Sequence, residues 1–147
     1  MSLAKKSVFN FSFLLEQDLR WGDMDAFNHI NNTVYFRYFE DVRIKFFEDT
    51  GITQTMQDSQ IGPILAHTEC NFLLPLAFPD RIQIGTRLRD VAEKKFMMEY
   101  GVFSVDKQKL VATGTGLIVY YDYNKQQSCP IPGEIRQAIT PFQELAE

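Results

Sequence analysis

The chain has 147 residues, of which 45% are hydrophobic and 23% are charged, and its formal net charge is −4. This length suits one core, and the composition is that of an ordinary globular protein, which argues against disorder and against a membrane protein. No run of basic residues exceeds a pair, so the chain lacks the basic surface that binds nucleic acid. We expect one domain over residues 1–147, with neither nucleic acid nor membrane as a partner.

The cysteines and the start of the chain bear on its compartment. Cys70 and Cys129 are too few for a disulfide scaffold and form no Cys-x-x-Cys pair, so we expect free thiols in a reducing compartment. Asn10 and Ser12 interrupt the apolar run near the start, and no small-residue cleavage site follows, so no signal peptide is predicted. The expected location is cytoplasmic.

Aromatic residues are unusually numerous, with 13 phenylalanines and six tyrosines. They supply more large apolar surface than a monomer of this size needs. This surplus indicates a subunit interface or an apolar ligand pocket, and a core that is simply rich in phenylalanine explains it equally well.

The first predicted element is a strand, because apolar residues alternate with polar ones over one short stretch. The apolar set is Phe9, Phe11, Phe13 and Leu15. The segment from Trp21 to Asn32 has no sustained period and contains Gly, Asp and Asn, which is typical of a loop.

A long amphipathic helix is predicted from about Thr33 to Thr50. Its apolar residues recur at helical spacing and are Tyr35, Tyr38, Phe39, Val42 and Phe46. Asn31, Asn32 or Thr33 can supply the N-cap, since their side-chain oxygens accept hydrogen bonds from free amides of the first turn. Gly51 can end the helix in a left-handed conformation.

Four further strands are predicted, at about 64–74, 81–90, 94–105 and 109–121, and the short turn at 105–109 implies an antiparallel hairpin. Gly114 and Gly116 share one face of the last strand, where they allow a close approach or leave a harmless packing gap. Ile135 to Leu145 can form a terminal helix. The expected fold is therefore α+β, an antiparallel sheet of about five strands wrapped around one long central helix.

Candidate chemistry concentrates just before the long helix, where Asp23, Asp25 and His29 lie within seven residues. Such residues are also common in loops for conformational reasons alone. A metal site would need further ligands, and no Gly-x-Ser-x-Gly motif supports a serine triad. A helix N-terminus, however, offers free amides that polarise a carbonyl group, and a nearby carboxylate can then attack or activate water.

The loop and helix carry a family resemblance. The sequence Leu19 to Gly51, with Trp-Gly-Asp-Met-Asp-Ala-Phe-Asn-His-Ile-Asn-Asn at its centre, resembles the 4-hydroxybenzoyl-CoA thioesterase family of hotdog-fold enzymes. The resemblance implies a hotdog fold and hydrolysis of an acyl thioester of coenzyme A or acyl carrier protein, without a cofactor or metal. It makes Asp25 the catalytic residue, as nucleophile or general base, with helix amides holding the thioester oxygen.

The continuation from His29 to Asn32 is similar to the acyl-carrier-protein thioesterase branch, which pairs the aspartate with the histidine and with an asparagine two residues on. Phe27 stands at that asparagine position here. The resemblance makes His29 a second catalytic candidate. It makes Asn31, Asn32 and Tyr35 candidates for substrate binding, although the spacing of Tyr35 also suits plain helix packing.

Coenzyme A phosphates would need exposed basic side chains, and Arg89, Lys94 and Lys95 flank one predicted turn; a solvated turn explains them as well. Family members place their active site between subunits, which implies a homodimer or homotetramer. A hotdog module that binds acyl-CoA or another apolar ligand without turnover is the alternative function.

Overall fold

The computed structural model describes residues 11–143, and its centre is an antiparallel sheet that curls around one helix. The described strands are β1 (Phe13–Asp18), β2 (Ile61–Phe72), β3 (Arg81–Arg89), β4 (Lys95–Ser104), β5 (Lys109–Asp122) and β6 (Gln127–Ser128). They form one sheet in the order β1-β3-β4-β5-β2, with β6 beside β5. The predicted strands from residue 81 onward are confirmed to within a residue at each end, as is the hairpin between β4 and β5. Phe9 lies outside the described residues.

The long helix α1 (Asn32–Asp49) is confirmed, and its apolar stripe faces the concave side of the sheet. The buried aromatic and aliphatic residues of α1 are Tyr35, Tyr38, Phe39, Val42, Phe46 and Phe47. The Phe39 ring stacks on Tyr100 of β4, with centroids 4.6 Å apart. Gly51 follows the helix at φ 86°, the left-handed conformation predicted for its end.

Helix α2 (Ile52–Ser59) was not predicted, because its eight residues contain only two large apolar side chains, Ile52 and Met56. The strand β2 also begins earlier than predicted, at Ile61 rather than 64. Pro63 is tolerated there because β2 lies at the edge of the sheet, where a missing amide costs no ladder bond.

The terminal helix α3 (Gly133–Ile139) starts two residues before the predicted start and ends well before Leu145. A 3-10 turn follows at Thr140–Phe142, and Pro141, which lacks an amide, cannot donate the next bond of an α-helix. No helix within residues 11–143 is both long and apolar enough to cross a membrane.

The two glycines of β5 mark close approaches and not packing gaps. A Cβ atom built on Gly114 would lie 2.4 Å from Cε2 of Phe39 and 2.6 Å from the carbonyl oxygen of Glu69. A Cβ atom on Gly116 would lie 2.7 Å from the Tyr100 hydroxyl oxygen. The missing side chains thus leave room for the stacked pair of Phe39 and Tyr100.

Gly114→Ala should destabilise the protein, because neither the Glu69 carbonyl nor the stacked Phe39 ring can move freely. We expect a loss of about 2 kcal/mol in the free energy of unfolding, measured by urea denaturation at a fixed protein concentration. Gly133→Ala is the matched control, since a Cβ atom there meets nothing within 4 Å. Equal stability of the two variants would contradict this account of β5.

Candidate active site

The loop before α1 is held in a tight, hydrogen-bonded turn. The Asp25 amide donates to the His29 carbonyl at 2.9 Å, and the Asn28 amide donates to the Asp25 carbonyl at 3.0 Å. Asn28 adopts φ 60°, a left-handed conformation that asparagine tolerates better than most residues. The Ile30 amide donates to the carbonyl of Leu76 at 2.8 Å, which attaches the turn to the segment after β2.

The Asp25 carboxylate is half-buried and receives two hydrogen bonds from its own loop. The Phe27 amide donates to Oδ1 at 2.9 Å, and Nδ2 of Asn31 donates to Oδ2 at 3.4 Å. One bond is formed at each oxygen, so the plane of the carboxylate is defined before any substrate arrives. Further lone pairs on both oxygens remain available for a ligand.

Asn31 is the N-cap of α1 among the three predicted candidates. Its Oδ1 accepts from the Thr33 amide at 3.0 Å, and its carbonyl accepts from the Val34 amide at 3.0 Å. Within residues 11–143, the amide of Asn32 donates to no acceptor. The positive end of the helix dipole thus presents one free donor, at Asn32.

Asp25 and Asn32 line the same cavity, which has a volume of about 360 Å³. His29 joins them on its polar side. The remaining wall is apolar except for the Tyr35 hydroxyl and consists of Ile30, Tyr35, Phe72, Leu73, Leu74 and Pro75. The structure therefore brings together Asp25, His29, Asn32 and Tyr35, while Asn31 lies behind them.

The wall formed by the end of β2 was missed as part of the site. Its signal in the sequence is the apolar run Phe72-Leu73-Leu74-Pro75 at the end of the strand predicted for residues 64–74. Phe72 and Leu73 are 48% and 36% exposed. Two neighbouring large apolar side chains that are this exposed indicate a binding surface.

Tyr35 connects the helix to this wall. Its ring meets the Phe72 ring edge to face, with centroids 5.1 Å apart. Burial raises the pKa of the Tyr35 phenol to about 12, and a hydrogen bond with the Leu76 backbone partly offsets this rise in pKa. Burial likewise raises the pKa of the nearby Cys70 thiol to about 11. Both groups stay neutral at physiological pH, so they add no charge beside Asp25.

The three basic candidates are not at this cavity. Lys95 pairs with Val119 of β5, whereas Phe72 pairs with Ala112, and seven residues along a strand span about 23 Å. Arg89 is also engaged in ion pairs with Asp90 and Glu99, each at 3.6 Å. Arg89, Lys94 and Lys95 thus lie at the opposite end of the sheet from this cavity.

A larger cavity of about 690 Å³ lies between β1 and α1, and its lining is mainly polar and charged. It includes Asp23 but neither Asp25 nor the Asn32 amide. No group of three His, Cys, Asp or Glu side chains in the described part of the chain is arranged to hold a metal ion. The smaller cavity is therefore the candidate active site.

A curled antiparallel sheet around one helix is the architecture of hotdog-fold thioesterases, and Asp25 and Asn32 line one cavity of this sheet. Comparison with protein families agrees, since the model of the Thioesterase-like superfamily matches residues 19–139. The chain belongs to this superfamily, and the fold and family expected from its sequence are confirmed.

Individual relatives are distant. The chain is 28% identical over 130 residues to the acyl-acyl carrier protein thioesterase ATL3, chloroplastic, of Arabidopsis thaliana, covering 87% of this chain and 67% of that protein. It is 22% identical over 116 residues to the long-chain acyl-CoA thioesterase FadM of Escherichia coli K12, covering 79% and 88%. The solved structure of the PA5185 protein from Pseudomonas aeruginosa PAO1 shares the fold, with a TM-score of 0.84, 23% identity and coverage of 95% and 97%.

Tyr35→Phe tests the environment of the cavity wall. A phenol whose pKa is raised from 10.0 to about 12 stabilises the fold fully below pH 10, and this contribution is lost as the pH rises through 12. Between pH 9 and pH 11 the wild type should therefore lose about 1 kcal/mol more unfolding free energy than Tyr35→Phe, after allowing for solvent screening. Urea denaturation of both proteins at both pH values measures this difference, and equal losses would contradict it. Tyr100 and Tyr120 are common to both proteins and cancel. Tyr35 also contributes to the raised pKa of Tyr38, so the change at Tyr38 acts in the same direction.

Proposed function

We propose that this protein hydrolyses an acyl thioester of coenzyme A or acyl carrier protein to the free acid and thiol, with Asp25 as the catalytic carboxylate. The observation that carries the proposal is the shared cavity of Asp25 and the free Asn32 amide. An attacking carboxylate and an oxyanion donor are the two groups that acyl transfer needs on opposite sides of one carbonyl.

The Asn32 amide receives the thioester carbonyl oxygen, and its hydrogen bond strengthens as negative charge develops on that oxygen. Asp25 then acts in one of two ways. As nucleophile it forms a mixed anhydride and expels the thiolate, and water hydrolyses the anhydride. As general base it removes a proton from water, which attacks the carbon directly. In both routes the departing thiolate takes up a proton from solvent or from His29, which lines the same cavity.

The apolar wall of the cavity suits a hydrophobic acyl group, because Phe72, Leu73 and the Tyr35 ring offer large apolar surfaces beside Asp25. The names of the relatives support acyl carrier protein and coenzyme A equally as carriers. Binding of coenzyme A phosphates by Arg89, Lys94 and Lys95 stays a prediction, and it requires the turn to come from another subunit.

We also propose that the protein is a homodimer, or a homotetramer built from such dimers, joined along β2. In the described residues β2 pairs with no strand other than β5, so its other edge has no strand beside it. The start of β2 is partly occupied, because the Pro63 carbonyl accepts from the Tyr123 hydroxyl at 2.8 Å. Leu65 on this strand is 40% exposed, and Phe72 at its end borders the active-site cavity. The opposite edge strand, β1, is half as long and carries Glu16 and Asp18, which discourage pairing.

Asp25→Asn and Asp25→Ala should abolish hydrolysis, because either change removes the carboxylate and leaves the Asn32 amide in place. We expect kcat/KM to fall by about 1000-fold or more, while Asp23→Asn, the matched control two residues away, stays within about threefold. Release of free thiol from short, long and aromatic acyl-CoAs and from an acyl carrier protein thioester measures this. Wild-type rates in Asp25→Ala would refute the assignment, and ligand-dependent stabilisation without thiol release would favour the binding module.

Leu65→Lys should weaken the proposed dimer by placing a charge on the open edge of β2. Light scattering coupled to size exclusion should show a dimer or tetramer for the wild type and a smaller species for Leu65→Lys, with a lower specific activity. Leu14→Lys on β1 is the control, because Leu14 is similarly exposed, at 46% against 40%, on the other edge of the sheet. A wild-type monomer with full activity would refute this interface.

A further inference from the structure

We propose that Asn31 is a positioning residue that orients the Asp25 carboxylate and joins it to the start of α1. This inference rests on the proposed function of Asp25. It differs from the role expected of Asn31 in the sequence, which was direct substrate binding, because Asn31 does not line the cavity and all of its polar groups are already engaged.

Each polar group of Asn31 has a partner. Its backbone amide donates to the Asp23 carbonyl at 3.0 Å, and its backbone carbonyl accepts from Val34. Its side-chain Oδ1 accepts from both the amide and the hydroxyl of Thr33, at 3.0 and 2.6 Å, and Nδ2 donates to Oδ2 of Asp25 at 3.4 Å. The side chain is thereby held from both ends.

The direction of the Asn31 amide follows from this network. The Thr33 amide is a donor only, so the oxygen of the Asn31 side chain must face it. The NH2 group then points to Asp25 by necessity. Capping the helix and binding the carboxylate are two consequences of one side-chain orientation.

The geometry of the reaction depends on this link. Asn31 directly precedes Asn32, whose free amide is the proposed oxyanion donor, so one residue sets the separation between attacking carboxylate and polarised carbonyl. Displacement of a catalytic group by about 1 Å can cost on the order of 100-fold in rate. A bond of 3.4 Å in the free protein can shorten when substrate binds.

Few ionisable groups surround Asp25, which makes a pH profile informative. His29 of the loop and Tyr35 of α1 line the same cavity as Asp25, and the segment Phe72 to Pro75 contributes no ionisable group. Cys70 of β2 interacts with Tyr35. Asp23 lines the other cavity, between β1 and α1. A new charge at position 31 would therefore act on Asp25 with little competition.

Two substitutions separate positioning from capping. Asn31→Ser keeps an N-cap oxygen but is too short to reach Asp25, so kcat/KM should fall by about 10-fold to 100-fold while the melting temperature stays close to that of the wild type. Asn31→Asp keeps both shape and cap but places a carboxylate oxygen against Asp25, which disfavours the ionised form. The acidic limb of its kcat/KM profile should move up by about one pH unit.

Both variants are compared with the wild type and Asp25→Asn on the acyl-CoA hydrolysed fastest, from pH 4 to 9, with melting temperatures recorded. A lowered kcat/KM in Asn31→Ser together with a shifted limb in Asn31→Asp supports the inference. Wild-type kcat/KM in Asn31→Ser and an unmoved limb in Asn31→Asp, with Asp25→Asn inactive, would overturn it and leave the proposed function intact. Full activity in Asp25→Asn would instead refute the proposed function, and this inference with it.

Discussion

The structure depends on the contact between the apolar stripe of α1 and the concave face of the sheet. Phe39 lies at its centre, stacked on Tyr100 and pressed against the bare backbone of Gly114. A fully buried aromatic side chain contributes several kcal/mol, and here it does so only because β5 lacks a side chain at this point. This contact positions α1 on the sheet, and the Asn31 cap marks where the helix begins.

The site follows from the position of that first turn. Residues 19–31 connect the end of β1 to the start of α1, and the tight turn near the end of this loop places Asp25 beside the helix N-terminus. The Asn31 side chain then connects the two. The proposed catalytic carboxylate and the proposed oxyanion donor are therefore both parts of one capped helix start, and a small domain can hold two such neighbouring groups rigidly.

The rest of the cavity belongs to the sheet. The end of β2 supplies Phe72 and Leu73, and both remain exposed although they border the site. An open strand edge and exposed apolar surface occur together at this end of the molecule. A second subunit along β2 would cover both the open edge and the exposed apolar surface. The proposed interface would therefore account for part of the aromatic surplus and would lie beside the proposed active site.

Local features were predictable from the amino-acid sequence by itself. Helical and two-residue periods predicted α1 and the strands β3 to β5, and Gly51 predicted the helix end, because these signals depend on neighbours in the chain. The crowded loop made Asp25 and His29 catalytic candidates, and those roles stay predictions. Tertiary structure decided what depends on distant residues. Only the pairing of β5 with β2 and with β4 places Phe72 at the cavity and Lys95 far from it. Only hydrogen bonding and packing show that Asn31 contacts Asp25 and that the two glycines of β5 lie against Phe39 and Tyr100.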